Sequence, residues 1–148
     1  MAGDEAASSA TNLSWLLDGL IEKVPHARSA LLLSADGIKK AFSGLDADQA
    51  DQLSAIASGM FSLARTAGAN LGAKPGVRQV VAELDDTLLF VSTAGSGAVL
   101  AVVTSREADA GLVGFEMSIL VKSVQPALET PVRSPAAAGG AAEGEWAR

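Results

Sequence analysis

The apolar residues of this chain follow two kinds of spacing, which alternate along the sequence. Residues 13–23, 46–70 and 109–128 carry apolar side chains three or four positions apart, the period of a helix that is buried on one side. Pro25 ends the first of these segments. Asp46 and Gln49 resemble a capping box at the start of the second. The pattern predicts three amphipathic helices.

Five short segments between these helices are dense in apolar and β-branched residues and predict strands. They are residues 27–34, 38–42, 77–84, 87–93 and 98–105. Asp36-Gly37 is a hairpin turn signal between the first two strands. The third and fourth strands are joined by two residues, and the fourth and fifth by four. Strands joined so briefly must be antiparallel neighbours. The order helix, two strands, helix, three strands, helix predicts an α+β fold, with helices on the faces of an antiparallel sheet.

The first predicted strand has an entirely apolar centre. Its run Ala30-Leu31-Leu32-Leu33 leaves no side of the strand for water. A strand of this kind is typical of the interior of a sheet that is covered on both faces. We therefore expect helices on both sides of it.

The long second helix carries two lines of residues at helical spacing, and the choice between them decides which side faces the core. The more apolar line predicts the core stripe, with residues Leu53, Ile56, Ala57, Met60, Ala64, Ala67 and Leu71. The other line is rich in small residues and predicts a face that a partner helix approaches, with residues Ser54, Ser58, Phe61, Arg65 and Gly68. The alternative is that Phe61 lies at the margin of a wide core face.

Composition limits the class of protein. At 148 residues, the natural division is a disordered tail over residues 1–11, a folded domain over 12–128, and a disordered Ala/Gly/Pro-rich tail over 129–148 that contains Trp146. There is no cysteine, and the net charge of −6 is opposite to that of a nucleic-acid binder. No apolar run approaches the roughly 20 residues that cross a bilayer. We expect a cytoplasmic protein, recruited to a membrane only through partners.

Candidate catalytic groups are sparse and poorly placed. His26 is the single histidine and follows Pro25 in a predicted loop. Asp85 and Asp86 are adjacent turn residues, so their carboxylates point apart instead of converging on a substrate. The glycine-rich stretch 94–97 runs into a strand and not into the helix that a phosphate loop requires. The sequence therefore predicts no catalytic residue, cofactor or metal, and favours a surface that binds a partner.

The segments NLSWLL, RSALLLSADGI and the meander VRQVVAEL–TLLFVST–AVLAVVTS, in this order, resemble the Roadblock/dynein-light-chain family over residues 13–128. The chain is most similar to the bacterial branch, whose members work beside small Ras-like GTPases, including those of actinobacterial conserved gene clusters. The resemblance implies a sheet of strand order 2-1-5-4-3. It also implies a homodimer in which the third strand and the second helix pair with their counterparts to form one continuous sheet.

Several residues acquire an interface role through this resemblance. The third strand would be an edge strand, and one as apolar as 77–84 risks aggregation unless another chain pairs with it. The predicted dimer or partner interface therefore comprises Ser54, Ser58, Phe61, Arg65, Gly68, Val77 and Val81. Arg28, Arg65 and Arg78 are the arginines considered for insertion into a GTPase site, with Arg65 the best placed. Related regulators are instead thought to reposition elements of the GTPase itself.

Two other functions are consistent with the same residues. A ligand-sensing domain of the profilin-like type would need a cavity with converging polar groups; the strands offer Ser29, Thr93 and Thr104 but no converging set. A pure scaffold, for example for a histidine-kinase-like sensor, would need only a surface. The sequence leaves open whether a GTPase would be activated, inhibited or recruited.

Overall fold

A computed structural model describes residues 2–74 and 76–129 of the chain. The predicted tail beyond residue 129, with Trp146, lies outside the described residues. The elements in chain order are α1 (Ala2–Lys23), β1 (Ala27–Ser34), β2 (Lys39–Ser43), α2 (Ala47–Asn70), β3 (Gln79–Glu83), β4 (Thr87–Gly95), β5 (Ala98–Ser105) and α3 (Ala110–Glu129).

The five strands form one antiparallel sheet in the order β2-β1-β5-β4-β3. Tight turns place β2 beside β1 and β5 beside β4, and the pairing of β1 with β5 joins these hairpins into one sheet. Gly37, with φ of 92°, closes the β1–β2 hairpin, and Ser96 and Gly97 close the β4–β5 hairpin with φ of 52° and 74°. The predicted fold class and strand order are confirmed, and the stretch 94–97 lies in a hairpin, with residues 94 and 95 at the end of β4 and Ser96 and Gly97 in the turn.

The sheet has a separate hydrophobic core on each face. α1 and α3 cover one face, where Leu17 and Met117 pack against strand residues such as Phe90. α2 covers the other face, where Ala57 and Phe61 pack against a different set of strand residues. The central strands are buried on both sides, and the predicted interior position of β1 is confirmed because residues 30–33 are fully buried.

The start of α2 is fixed by the predicted capping box. The carboxylate of Asp46 accepts a hydrogen bond from the backbone N–H of Gln49 at 2.8 Å, and the backbone N–H of Asp46 donates to Gln49 Oε1 at 3.0 Å. These two bonds satisfy helix donors that would otherwise lack partners. The helix ends at Asn70, and the N–H of the C-cap residue Leu71 donates to the carbonyl of Ala67 at 3.0 Å. The long helix is therefore held in register at both ends.

Three elements differ from the sequence prediction by two or more residues at one end. One is β4, which continues to Gly95 where the prediction ended at residue 93. α1 begins at Ala2, so the helix continues through residues 2–11, where we expected a disordered tail. That segment has no apolar stripe, but it is rich in alanine, the residue with the highest helix propensity. β3 is shorter than the predicted 77–84, because only Gln79–Glu83 is in the ladder with β4.

None of the helices in residues 2–74 and 76–129 is both long enough and apolar enough to span a membrane.

Candidate partner-binding surface

One side of α2 exposes large apolar side chains to solvent. Leu63, in the second half of the helix, is 73% exposed, and Ile56, two turns earlier, is 54% exposed. We call the set at this helical spacing the outer α2 face; it comprises Leu53, Ile56, Met60, Leu63, Ala67 and the C-cap residue Leu71. Leu53 and Met60 are half-buried, and the other four are exposed. Contiguous apolar surface of this kind marks interaction sites.

This result corrects the predicted orientation of α2. Five of the six residues of the outer α2 face belong to the predicted core stripe, Leu63 belongs to neither predicted line, and of that stripe only Ala57 is fully buried. The helix instead packs on the sheet through Ala50, Ser54, Ala57 and Phe61. Both lines have helical spacing, and the more apolar one was assigned to the interior because a lone chain buries its largest apolar groups. Small residues against the sheet allow close approach, and Phe61 fills the remaining space.

The predicted partner line is therefore divided between the interior and the surface. Ser54 is fully buried, and its Oγ has no hydrogen-bond partner among the described residues. Ser58 is half-buried, and its hydroxyl donates to the carbonyl of Ala35 in the β1–β2 turn at 3.2 Å. Gly68 is half-buried near the end of α2, where its carbonyl accepts from Ala73 N–H at 2.9 Å. These three residues serve contacts within the chain.

Phe61 and Arg65 form a contact that joins the core to the surface. Phe61 is only 8% exposed and belongs to the core on the α2 side of the sheet, which supports the alternative considered for it. The guanidinium of Arg65 lies 5.4 Å from the centre of the Phe61 ring. A cation at this distance is attracted by the negative face of the ring. Arg65 remains exposed and is the member of the predicted line that a partner can reach.

β3 supplies an unpaired edge on the same domain. It pairs with β4 alone, so the backbone groups on its other side face away from the sheet. Val81 is 49% exposed, whereas Val77, just before the strand, is half-buried against the α2-side core. The two predicted interface valines therefore lie in different environments: Val77 precedes the strand and packs toward α2, whereas Val81 lies between Val80 and Ala82 on the strand and points to the opposite side.

Polar contacts fix the far end of β3. Arg106, after β5, pairs with Glu83 at 2.9 Å and donates to the carbonyl of Asp85 at 3.2 Å. Arg28 similarly donates to Thr87 Oγ1 at 3.1 Å. Both arginines therefore hold the β3–β4 turn in place. Asp85 and Asp86 are exposed in that turn.

The remaining chemical candidates lie apart from one another. His26 is exposed at the α1–β1 junction with a φ of 74°. Ser29 and Thr104 are buried, and the Thr104 hydroxyl donates to the carbonyl of Ser105 at 2.9 Å, while Thr93 is exposed elsewhere on the sheet. A hydrogen bond from the Ser105 hydroxyl lowers the pKa of the Glu107 carboxyl, at the start of the β5–α3 connection. The polar set proposed for ligand sensing therefore does not converge.

A family model described as the Roadblock/LC7 domain matches residues 13–104. The chain belongs to the Roadblock/LC7 family. The match covers α1 from Leu13 and all five strands together with α2, so the outer α2 face and the β3 edge are both parts of the family domain.

Solved structures agree with this assignment. A Roadblock/LC7 domain from Streptomyces avermitilis is 59% identical, covering 78% of this chain and 96% of that one, with a TM-score of 0.76. A second Roadblock/LC7 domain from the same organism is 36% identical, covering 75% and 96%, with a TM-score of 0.62. MglB from Myxococcus xanthus has the same fold at 17% identity, covering 84% and 93%, with a TM-score of 0.74. No curated protein matches the chain.

Proposed function

We propose that this Roadblock/LC7 chain is a non-enzymatic, homodimeric adaptor that binds a small Ras-like GTPase and modulates its nucleotide cycle or its location in bacterial signalling. The observation that carries the proposal is that the domain has both an apolar outer α2 face and an unpaired β3 edge. Each of these features alone is typical of a surface that associates with another protein chain. Together they form a surface made for contact and not for chemistry.

A second copy of the chain is the partner that fits both features. Two β3 edges related by a twofold axis pair as antiparallel strands, which extends the sheet from one copy into the next. The same rotation brings the two α2 helices side by side. Ile56 and Leu63 of each copy would then lose contact with water, and burial of a leucine or isoleucine side chain contributes roughly 1.5–3 kcal/mol. Association would remove the exposed edge as well.

The paired α2 helices would present a platform to the GTPase. Arg65 would lie at its margin, exposed and positioned on the Phe61 ring. A platform that orders the switch loops of a GTPase changes hydrolysis or exchange without supplying a catalytic group. Regulation by repositioning is therefore the mechanism we propose, with Arg65 as a contact residue.

The proposal is tested with two substitutions on opposite faces of the sheet. Leu63→Glu places a charge in the outer α2 face, and Phe115→Glu places the same charge at a 60% exposed position on α3. Neither site is in a core, so both variants should fold. Phe61→Asp is unsuitable because it would put a charge into the core. The measurements are the mass in solution, capture of a candidate Ras-like GTPase in each nucleotide state, and GTP turnover by that GTPase.

We expect Leu63→Glu to lose self-association and GTPase capture, and Phe115→Glu to retain both. Arg65→Gln in the dimer should weaken capture without changing the mass. A Leu63→Glu monomer that captures the GTPase as well as the parent chain would contradict the platform.

A pure scaffold would differ from a GTPase regulator in its effect on the nucleotide cycle of the bound GTPase. If the dimer captures a GTPase but leaves both turnover and nucleotide exchange unchanged, the chain acts by recruitment, for example to a histidine-kinase-like sensor.

A further inference from the structure

A groove of about 510 Å³ lies on the face of the sheet that carries α3. One wall is a single face of α3, with residues at three- and four-residue spacing: Gly114, Met117, Ser118, Val121, Lys122 and Gln125. The other wall is the end of the sheet where β3 pairs with β4, with residues Arg78, Gln79, Ser92 and Thr93. The groove is on the opposite side of the sheet from α2.

The charge of this groove is opposite to that of the chain. The net charge is −6, yet no carboxylate is among the residues that line the groove. Arg78 and Lys122 are exposed on its two walls, and neither forms an ion pair or side-chain hydrogen bond with another described residue. The other arginines within the described residues are all engaged, in contacts described above for Arg28, Arg65 and Arg106. Two cations therefore face an open space without a counter-charge.

The rest of the groove combines an apolar floor with neutral polar groups. Met117 and Val121 are the apolar residues of the lining; Met117 is 2% exposed, and Val121 is half-buried. Thr93 Oγ1 accepts a 3.5 Å hydrogen bond from Gly95 N–H, which leaves its own hydroxyl hydrogen to donate. Gln125 packs against the β4–β5 turn, since a Cβ at Gly95 would lie 2.7 Å from its Nε2.

We propose that this groove binds a small organic phosphate. A phosphate monoester carries about −1.5 to −2 charge at pH 7, which two cations can neutralise. The Arg78 guanidinium offers a planar pair of donors that matches phosphate oxygens, and Lys122 adds a point charge from the opposite wall. The apolar floor accommodates the organic part, and the volume lies within the roughly 300–1,000 Å³ of small-molecule sites. This inference is independent of the GTPase proposal.

The test is calorimetric titration of the full chain with adenosine 5′-monophosphate, with inorganic pyrophosphate, and with adenosine as the uncharged control. Arg78→Gln and Lys122→Gln each remove one charge. Lys40→Gln makes the same change on β2, at the opposite edge of the sheet, where the lysine is also exposed. Gly114→Leu fills the groove without removing charge, because a Cβ at Gly114 meets nothing within 4 Å.

We expect saturable binding of the monophosphate and none of adenosine. Each of Arg78→Gln and Lys122→Gln should weaken binding about tenfold, which corresponds to about 1.4 kcal/mol. Gly114→Leu should abolish binding while leaving thermal stability at least as high, because it replaces a helical glycine. Lys40→Gln and Leu63→Glu should bind like the parent chain, and the latter result separates this site from the proposed dimer surface.

The proposal is overturned if the monophosphate shows no saturation up to about 10 mM, a concentration that detects even millimolar affinity. If Lys40→Gln weakened monophosphate binding as much as Arg78→Gln and Lys122→Gln, the loss of affinity would follow from the net charge of the chain and not from the groove. Saturation by pyrophosphate alone would contradict an organic ligand. A short polyglutamate peptide is titrated in the same way as a carboxylate probe. If this peptide bound and the phosphates did not, the proposed class of ligand would be wrong.

Discussion

Ser54 is a polar residue in an apolar position. It is fully buried between α2 and the sheet, and its hydroxyl has no hydrogen-bond partner within the described part of the chain. A buried hydroxyl without a partner loses its hydration and gains nothing in exchange, which costs about 1–3 kcal/mol. One helical turn later, the hydroxyl of Ser58 has such a partner in the carbonyl of Ala35. The two serines form a matched pair.

We expect Ser54→Ala to raise the free energy of unfolding by about 1 kcal/mol, because it removes the unpaired hydroxyl and increases helix propensity. Ser58→Ala should lower it by about 1 kcal/mol, because Ala35 O loses a donor. Urea unfolding at a fixed protein concentration measures both. A loss of stability in Ser54→Ala would contradict the unpaired state of this hydroxyl.

Among the glycines of the described residues, Gly44 is the one at which the surroundings leave least room for a side chain. Its φ is +79°, and a Cβ there would lie 2.3 Å from the carbonyl oxygen of Arg28, a backbone atom of the central strand β1. Gly72 has a similar φ of +76° but faces open space. The pair therefore separates backbone strain from steric overlap.

Gly44→Ala should reduce the free energy of unfolding by about 3 kcal/mol, through left-handed strain and the clash with β1 together. Gly72→Ala should cost about 1 kcal/mol, from strain alone. Thermal unfolding of both variants is the measurement. Equal losses in the two would show that the chain from β2 to α2 moves away from β1 at little cost.

At the scale of elements, local signals predicted nearly all of the boundaries, and tertiary contacts decided what they could not. The bounds of β1 and β5 follow from apolar runs between turn residues, and the start of α2 follows from the capping box. The rotation of α2 could not be derived, because both of its lines have the same period. The groove of the proposed phosphate site could not be found either, since Arg78 and Lys122 are brought together only by the packing of α3 on β4.

The rotation of α2 has a direct test in two truncations. Phe61→Ala should lower the free energy of unfolding by about 3 kcal/mol, because Phe61 is buried against the sheet. Leu63→Ala should change the unfolding of a single chain by less than about 0.5 kcal/mol, because its side chain is exposed. Its effect should appear in the strength of self-association. Comparison at low and high protein concentration distinguishes the two contributions. The reverse ranking at low concentration would contradict the orientation of α2 described above.

At the scale of the whole molecule, the domain has two working faces with different characters. The α2 face is apolar and ends at an unpaired strand, and on the other side of the sheet α3 borders a cationic groove. We propose that the first of these faces binds a second copy of the chain and the other a small organic phosphate. The central strands, which separate the two faces, are buried on both sides. This burial keeps the α2 face and the groove in fixed positions relative to each other.

Light scattering of the purified chain during size-exclusion chromatography at micromolar concentration tests the central claim most directly. We expect a mass of twice 14.9 kDa for the parent chain and for Phe115→Glu, and a mass close to 14.9 kDa for Leu63→Glu. A parent chain that elutes as a single 14.9 kDa subunit, and in that state still captures a Ras-like GTPase, would contradict the account.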